Sequence, residues 1–189
     1  MFPRLRCRGL HHRAVRRGVR RRVAELTMSE DRIARLEAEV RELRDQLEIR
    51  EILAKYGFTA DMGHSRAYAE LFTEDGVYDL DDGWTIEGRD ALAAMIEDPN
   101  GLHKREIENR SQHVPTNILV RVDGDTAWSE SYSQVVVGTP DGGYRVMTAG
   151  YNRFDYARVD DRWLIKRRLR RAVGGPEWGG ETIRRFQEG

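Results

Sequence analysis

Apolar positions along this chain change their period twice, and the changes divide it into elements. Ser29 to about Met62 reads as helix. Ile33, Leu36, Val40, Leu43 and Leu47 recur at alternating three- and four-residue steps, a short heptad seam. Arg35 and Glu39, Glu37 and Arg41, and Arg44 and Glu48 are i,i+4 pairs that support it. The seam breaks at Arg50 and is too short for an independent coiled coil, so it is expected to pack on the domain or on a partner subunit. A different face follows, with Ile52, Leu53, Tyr56 and Ala60, until Gly63-His64-Ser65 interrupts the helix. Ser65 is the expected N-cap of a second helix, Arg66 to Phe72. Short strands are predicted at 77–80 and 84–87 around Asp81-Asp82-Gly83. A third helix runs from Ala91 to about Glu97 and ends at Asp98-Pro99-Asn100-Gly101; residues 102–110 read equally as polar loop or short helix.

From residue 111 the period becomes two. Strands are predicted at 113–122, 126–138, 143–157 and 162–172, joined by tight turns such as Asp123-Gly124. Helices first and a curved antiparallel meander afterwards is an α+β layout, with helices on one face of the sheet. On the first long strand His113 and Asn117 stand four residues apart and share a face if the strand is regular. Two hydrogen-bonding side chains on one side of an apolar strand are either satisfied in a core or line a pocket. The expected organisation is a basic, unstructured head over 1–27, an N-terminal helix with the seam over 28–50, one domain over 51–173, and a loose Gly-rich tail over 174–189.

Charge alters this picture at one place. The chain balances 32 basic against 32 acidic residues, which gives no global reason to expect nucleic acid or a membrane as partner. The head nevertheless carries nine arginines against Glu25, a net of +8, and has too few large apolar residues to offset its ordering entropy. It reads as a nucleic-acid arm, as an organellar presequence, or as sequence upstream of a natural start at Met28; the last is favoured. Cys7 is the single cysteine, so no disulfide within the chain and no cysteine metal site is possible. That usage fits a reducing cytoplasm. No apolar run is long enough to span a bilayer.

The ordered pieces resemble the SnoaL-like branch of the NTF2-like superfamily. They are Tyr56 followed by Asp61; Leu71-Phe72-Thr73-Glu74-Asp75-Gly76-Val77-Tyr78; Ile86-Glu87-Gly88-Arg89-Asp90-Ala91-Leu92; the hairpin from His113 and Asn117 through Asp123-Gly124-Asp125; and the closing Trp163, Ile165 and Arg168. The resemblance covers about 48–172 and implies a cone-shaped fold, three helices on a curved antiparallel sheet, with the N-terminal helix as an addition. Dehydratases of this superfamily, of the scytalone dehydratase and bile acid 7α-dehydratase type, pair a helix aspartate with a sheet histidine beside a tyrosine and, in the bile acid enzyme, a late arginine. That resemblance carries over to Asp61, His113, Tyr56 and Arg168. A second pocket histidine has no clear counterpart, since His103 falls in the undecided segment.

Those residue types can eliminate water without a metal or cofactor. A histidine held by a carboxylate takes a proton beside a carbonyl and returns it to a departing hydroxyl. Tyr56 or Tyr78 could bond the carbonyl oxygen as charge builds, and Arg168 could hold an acidic or carbonyl group. Asn117 and Trp84 complete the candidate substrate-binding set; Asn117, Trp84, Trp128 and Trp163 each also have a structural reading. Two geometric objections stand. Tyr56 and Asp61, five residues apart on a helix, diverge by about 140°. Arg168 has strand parity opposite to Trp163 and Ile165 and needs a bulge to face the core. The function expected is a cofactor-independent lyase (dehydratase) or isomerase acting on a hydrophobic oxygenated ring compound such as a steroid or polyketide. The alternatives are a non-catalytic ligand-binding or assembly module, and an epoxide hydrolase. A homodimer or homotrimer is expected, with Val135-Val136-Val137 and Trp128 supplying the contact.

Overall fold

The computed structural model describes residues 10–176 and residue 178, with side chains described from Met28 onward except Asp82. It divides into two units, Met1–Arg44 and Asp45–Gly189. The first helix, α1, is assigned over Leu10–Asp61. It therefore begins inside the head expected to lack structure; arginine, alanine and leucine are all good helix formers, so a helix there needs no core. Residues 1–9, 177 and 179–189, including most of the expected tail, lie outside the described residues.

Within the second unit, the last four turns of α1 bury Ile49, Ile52, Leu53, Tyr56 and Ala60. This is the second apolar face predicted from the period. Asp45 and Glu48 fasten its start to the sheet. Trp163 donates its indole N–H to Asp45 at 3.0 Å and its backbone N–H to Glu48 at 3.0 Å. A fully buried tryptophan needs such an acceptor. Arg158 pairs with Asp45 at 2.8 Å and lies over the Trp163 ring at 4.3 Å.

Next come α2 (Ser65–Ala69), β1 (Phe72–Asp79), β2 (Thr85–Glu87) and α3 (Arg89–Glu97), then a single π-helical turn at His103–Ile107. Ser65 is not the cap of α2. His64 holds that position without a side-chain bond, and Ser65 Oγ instead donates to Glu97 Oε1 on α3 at 2.5 Å. The second helix is also shorter than predicted, because Phe72 leaves it to pair with Ile165 in the sheet.

Four long strands follow: β3 (Ser111–Asp123), β4 (Thr126–Gly138), β5 (Tyr144–Val159) and β6 (Arg162–Ala172). The sheet order is β2-β1-β6-β5-β4-β3, open at both ends. All neighbours are antiparallel except β1 and β6, which run parallel, a departure from the purely antiparallel expectation. Helices and the inner sheet face enclose a core that includes Tyr68, Phe72, Leu92, Ile96, Phe154 and Trp163.

Two bulges decide which side chains face inward. On β6, Ile165 sits opposite Tyr156 and Arg167 opposite Asp155, so Lys166 is the extra residue. On β3, Thr116 pairs with Tyr132 and Leu119 with Glu130, again with one residue too many on β3. Asn117 lies there with φ +53°, a conformation that asparagine tolerates better than most residues. The valine run on β4 alternates as a strand must: Val135 and Val137 are buried in the core. Only Val136 of the three is left for the outer face, which corrects the expected contact surface. Trp128 is half-buried with the Arg153 guanidinium 4.9 Å above its ring.

Candidate active site

The end of α1 meets the start of β3, and the contact is an acid–imidazole pair. Asp61 Oδ1 lies 2.6 Å from His113 Nδ1, while Asp61 Oδ2 accepts the His113 backbone N–H at 2.9 Å. Ser111 Oγ donates to Asp61 Oδ1 at 2.5 Å. Burial alone would raise the Asp61 pKa. The bonds from His113 and Ser111 outweigh burial and hold it below the ordinary carboxylate value. An ionised Asp61 fixes the proton on Nδ1 and leaves Nε2 as the basic nitrogen.

The objection from helix geometry is resolved by the position of His113. Tyr56 and Asp61 do point apart, and the imidazole fills the angle between them. The Tyr56 and His113 rings are 6.2 Å apart and nearly perpendicular. The helix passes close to this strand at Gly57, where a Cβ would be in van der Waals contact with His113 Cβ at 3.4 Å. His113 lines a cavity of about 400 Å³, whereas Asp61 does not. Asp61 is thus a positioning residue behind the imidazole.

Arg168 lines the same cavity. The Lys166 bulge reverses the strand parity, so Arg168 faces inward with Trp163 and Ile165 and is almost completely buried. Its Nε and Nη2 donate to Asn152 Oδ1 at 3.1 and 2.7 Å, and Nη1 donates to Tyr56 Oη. The rings of Tyr56 and Tyr78 flank the guanidinium at 4.6 and 4.3 Å. Among the described residues, no carboxylate forms an ion pair with it. A buried cation held only by neutral groups is costly and leaves unmet attraction for an anion. Tyr56 Oη also lies 2.8 Å from Tyr68 Oη. Burial raises the Tyr56 pKa strongly, against the opposing pull of Arg168, so its hydroxyl stays neutral.

Of the other residues expected at the site, Tyr78 and Trp84 line the same cavity. Trp84 is 59% exposed. Asn117 does not belong to it. The β3 bulge turns it outward, where it is exposed, so the regular-strand assumption that paired it with His113 fails.

Four site residues escaped the sequence. His103 is buried in the π-helical turn and lines the cavity. Its Nε2 is 2.7 Å from the Ala60 carbonyl oxygen, so Nε2 carries the proton. Its Nδ1 is buried without a hydrogen-bond partner among the described residues, and burial, partly offset by the Ala60 bond, lowers its pKa. Nothing in the period of 102–110 signals this. Tyr68, Asn152 and Ser111 are the others. Ser111 was legible by its shared parity with His113, and Asn152 by alternation with Phe154 and Tyr156.

A second, small chamber of about 30 Å³, enough to admit water, is bordered by Tyr56, His113, Ser131, Ser133, Asn152 and Arg168. Among the described residues, no cluster of three or more His, Cys, Asp or Glu could hold a metal ion. No described helix is long and apolar enough to cross a membrane.

Residues 41–169 match the family model of the SnoaL-like domain. The chain belongs to this family. Among solved structures, an NTF2-like protein with a cystatin-like fold from Novosphingobium aromaticivorans is 32% identical, with TM-score 0.69, over 80% of this chain and 94% of that one. A Mycobacterium tuberculosis protein of unknown function is 31% identical, with TM-score 0.63, over 70% of this chain and 73% of the other. A Catenulispora acidiphila protein in complex with S-DNPA is 22% identical, with TM-score 0.59, over 70% of this chain and 96% of that one; at this identity it supports the fold alone. No curated protein matches the chain. The SnoaL-like assignment covers fold and family; a reaction has to be argued from the site.

Proposed function

We propose that this SnoaL-like protein is a cofactor-independent hydro-lyase or isomerase acting on an oxygenated, largely apolar ring compound. The observation that carries the proposal is His113, backed by Asp61, on the wall of a 400 Å³ cavity also lined by Arg168, which has no carboxylate partner among the described residues. The volume falls within the range of about 300–1,000 Å³ usual for small-molecule sites. Its walls include Leu80, Ile86, Met95, Ile96 and Leu102, which suit a hydrocarbon skeleton.

On a β-hydroxy ketone the residues divide the work as follows. His113 Nε2 removes the proton α to the carbonyl; the C–H pair moves to form an enolate. Arg168 and the neutral Tyr56 hydroxyl stabilise the oxyanion, a preorganised arrangement whose donors are worth about 3–4 kcal/mol each at such sites. As the enolate collapses, the carbon–oxygen bond to the hydroxyl breaks, a double bond forms, and the His113 imidazolium supplies the proton that completes water. On a β,γ-unsaturated ketone the same abstraction gives a dienolate, and return of the proton to the γ carbon gives isomerisation instead. Asp61 stays ionised throughout and stabilises the imidazolium. The second chamber beside His113 suits the small product. Epoxide hydrolysis would need carboxylates around a water at Arg168, and its ion-pair partners among the described residues include none.

The test is turnover of a panel of cyclic hydroxy ketones by the protein and by His113→Ala and Asp61→Asn. Each variant is expected to lose orders of magnitude, with little further loss in the double variant, as residues acting as a unit do. Ligand binding without turnover by the unaltered protein would favour a binding module. Full activity in either single variant would remove the pair from the mechanism.

A further inference from the structure

We propose that the N-terminal part of α1 pairs with its counterpart in a second copy of this chain, as a parallel, in-register, two-stranded coiled coil. The described residues of the first unit are helical throughout. Along them Ile33, Leu36, Val40 and Leu43 are 53%, 50%, 45% and 59% exposed. These four repeat at three- and four-residue steps, the period of a seam that buries against another helix. An apolar stripe on a helix otherwise covered with charge has no reason to stay in water.

The residue types commit to the occupant. Ile33 and Val40 fall at the a positions of the heptad, and Leu36 and Leu43 at the d positions. β-Branched residues at a with leucine at d favour two parallel strands over three or four. The flanking charges select the same partner. Arg32 and Glu39 occupy g positions, Glu37 and Arg44 e positions. In a parallel pair each g residue reaches the e residue five positions further along the other helix. Arg32 then meets Glu37 of the partner subunit, and Glu39 meets Arg44 of the partner subunit. By the twofold symmetry each attraction occurs twice.

The antiparallel alternative is weaker on the same residues, because the attraction of Glu30 to Arg44 of the partner subunit is offset by like charges. Packing Leu36 against Val40 of the partner subunit, and Ile33 against Leu43 of the partner subunit, sets Glu37 against Glu37 of the partner subunit and Glu39 against Glu39 of the partner subunit. Like charges at flanking positions work against that arrangement. The seam is about three turns of contact, which is short for a free-standing coiled coil; here it is one part of a larger protein and fixes the partner and the direction. This inference is independent of the chemistry proposed above.

Disulfide trapping in the full chain tests it. Cys7 is replaced by serine, and one cysteine is introduced at Val40→Cys on the seam or at Ala38→Cys on the outer side of the same helix. Under mild oxidation Val40→Cys is expected to give a near-complete disulfide dimer on a non-reducing gel, and Ala38→Cys only a background band. Adding Leu36→Lys with Leu43→Lys is expected to bring the Val40→Cys band down to that background. Those leucines are exposed, so the tryptophan near-UV circular dichroism of the second unit should not change. Three results would overturn the proposal: no Val40→Cys dimer above the Ala38→Cys control; a dimer that survives the two lysines; or stronger crosslinking in a mixture of Leu36→Cys and Val40→Cys chains than in either alone, which signals an antiparallel pair.

Discussion

Asp61→Asn isolates the contribution of the carboxylate while leaving its shape in place. Asp61 accepts three hydrogen bonds, from Ser111 Oγ, the His113 backbone N–H and His113 Nδ1. The backbone N–H cannot accept, so an asparagine keeps its oxygen there and presents its N–H₂ to both Ser111 Oγ and His113 Nδ1; the serine hydroxyl can turn to accept, and the bond from His113 Nδ1 is the one lost. Hydrogen bonds to charged groups contribute about 1.5–3 kcal/mol, so losing one of them should destabilise the fold by about 2 kcal/mol, a factor of roughly 30. Urea denaturation at neutral pH reads this. The second effect is on the ring. His113 can satisfy an amide donor only by moving its proton from Nδ1 to Nε2, which abolishes the basic nitrogen in the cavity. The corresponding change in a serine protease triad lowers turnover by about 10⁴, and a loss on the order of 10³–10⁴ is expected here. The ring effect is measurable without a substrate, from imidazole ¹⁵N shifts and couplings. The unaltered protein should show a protonated Nδ1, and the variant a protonated Nε2. An unchanged tautomer together with unchanged stability would refute the reasoning.

Acid should weaken the fold in two steps. The folded pKa of His103 is depressed, chiefly by burial, so its contribution is complete above the unfolded value of about 6.5 and is lost as pH falls from there toward the folded value. Asp61 has the same sign in a lower window: its contribution is complete above about 3.9 and is lost as pH falls through its depressed folded value. Chemical denaturation from pH 8 to 3 reads both, and His103→Gln should flatten the upper step alone. Arg168→Met removes a buried charge with no carboxylate partner; stability should change by no more than ~2 kcal/mol, while binding of an enolate-mimicking phenol should weaken at least tenfold by calorimetry. Gly150→Ala should cost roughly 1–3 kcal/mol in thermal or urea unfolding, because a Cβ there would lie 2.6 Å from the Arg171 carbonyl oxygen.

The sequence made the periodic parts of this molecule legible and left its irregular parts open. The buried face from Ile49 to Ala60 and the four long strands follow from regular spacing, because burial repeats with the geometry of the element. The pairing of Asp61 with His113 came from the family resemblance, since no spacing links a helix to a strand 52 residues away. The errors fall where one residue breaks the period. Regular parity put Asn117 in the pocket and Arg168 out of it; one bulge on β3 and one on β6 reverse both. Lys166 gives no glycine or proline to announce the β6 bulge; Pro115, just before the β3 bulge, was the one available signal. His103 was unreadable for a related reason, since a single π-helical turn has no repeat of its own. Val135 and Val137 were misassigned to an interface because three adjacent valines hide the alternation that buries two of them.

Carbon-bound proton exchange tests the central claim most directly, because it needs only the first step of the chemistry. Cyclic β-hydroxy ketones and their unsaturated ketone counterparts, incubated with the protein in D₂O, should acquire deuterium α or γ to the carbonyl by mass spectrometry, and His113→Ala should abolish the incorporation. Ligands shown to occupy the cavity that take up no deuterium, or that take it up equally with His113→Ala, would contradict the account.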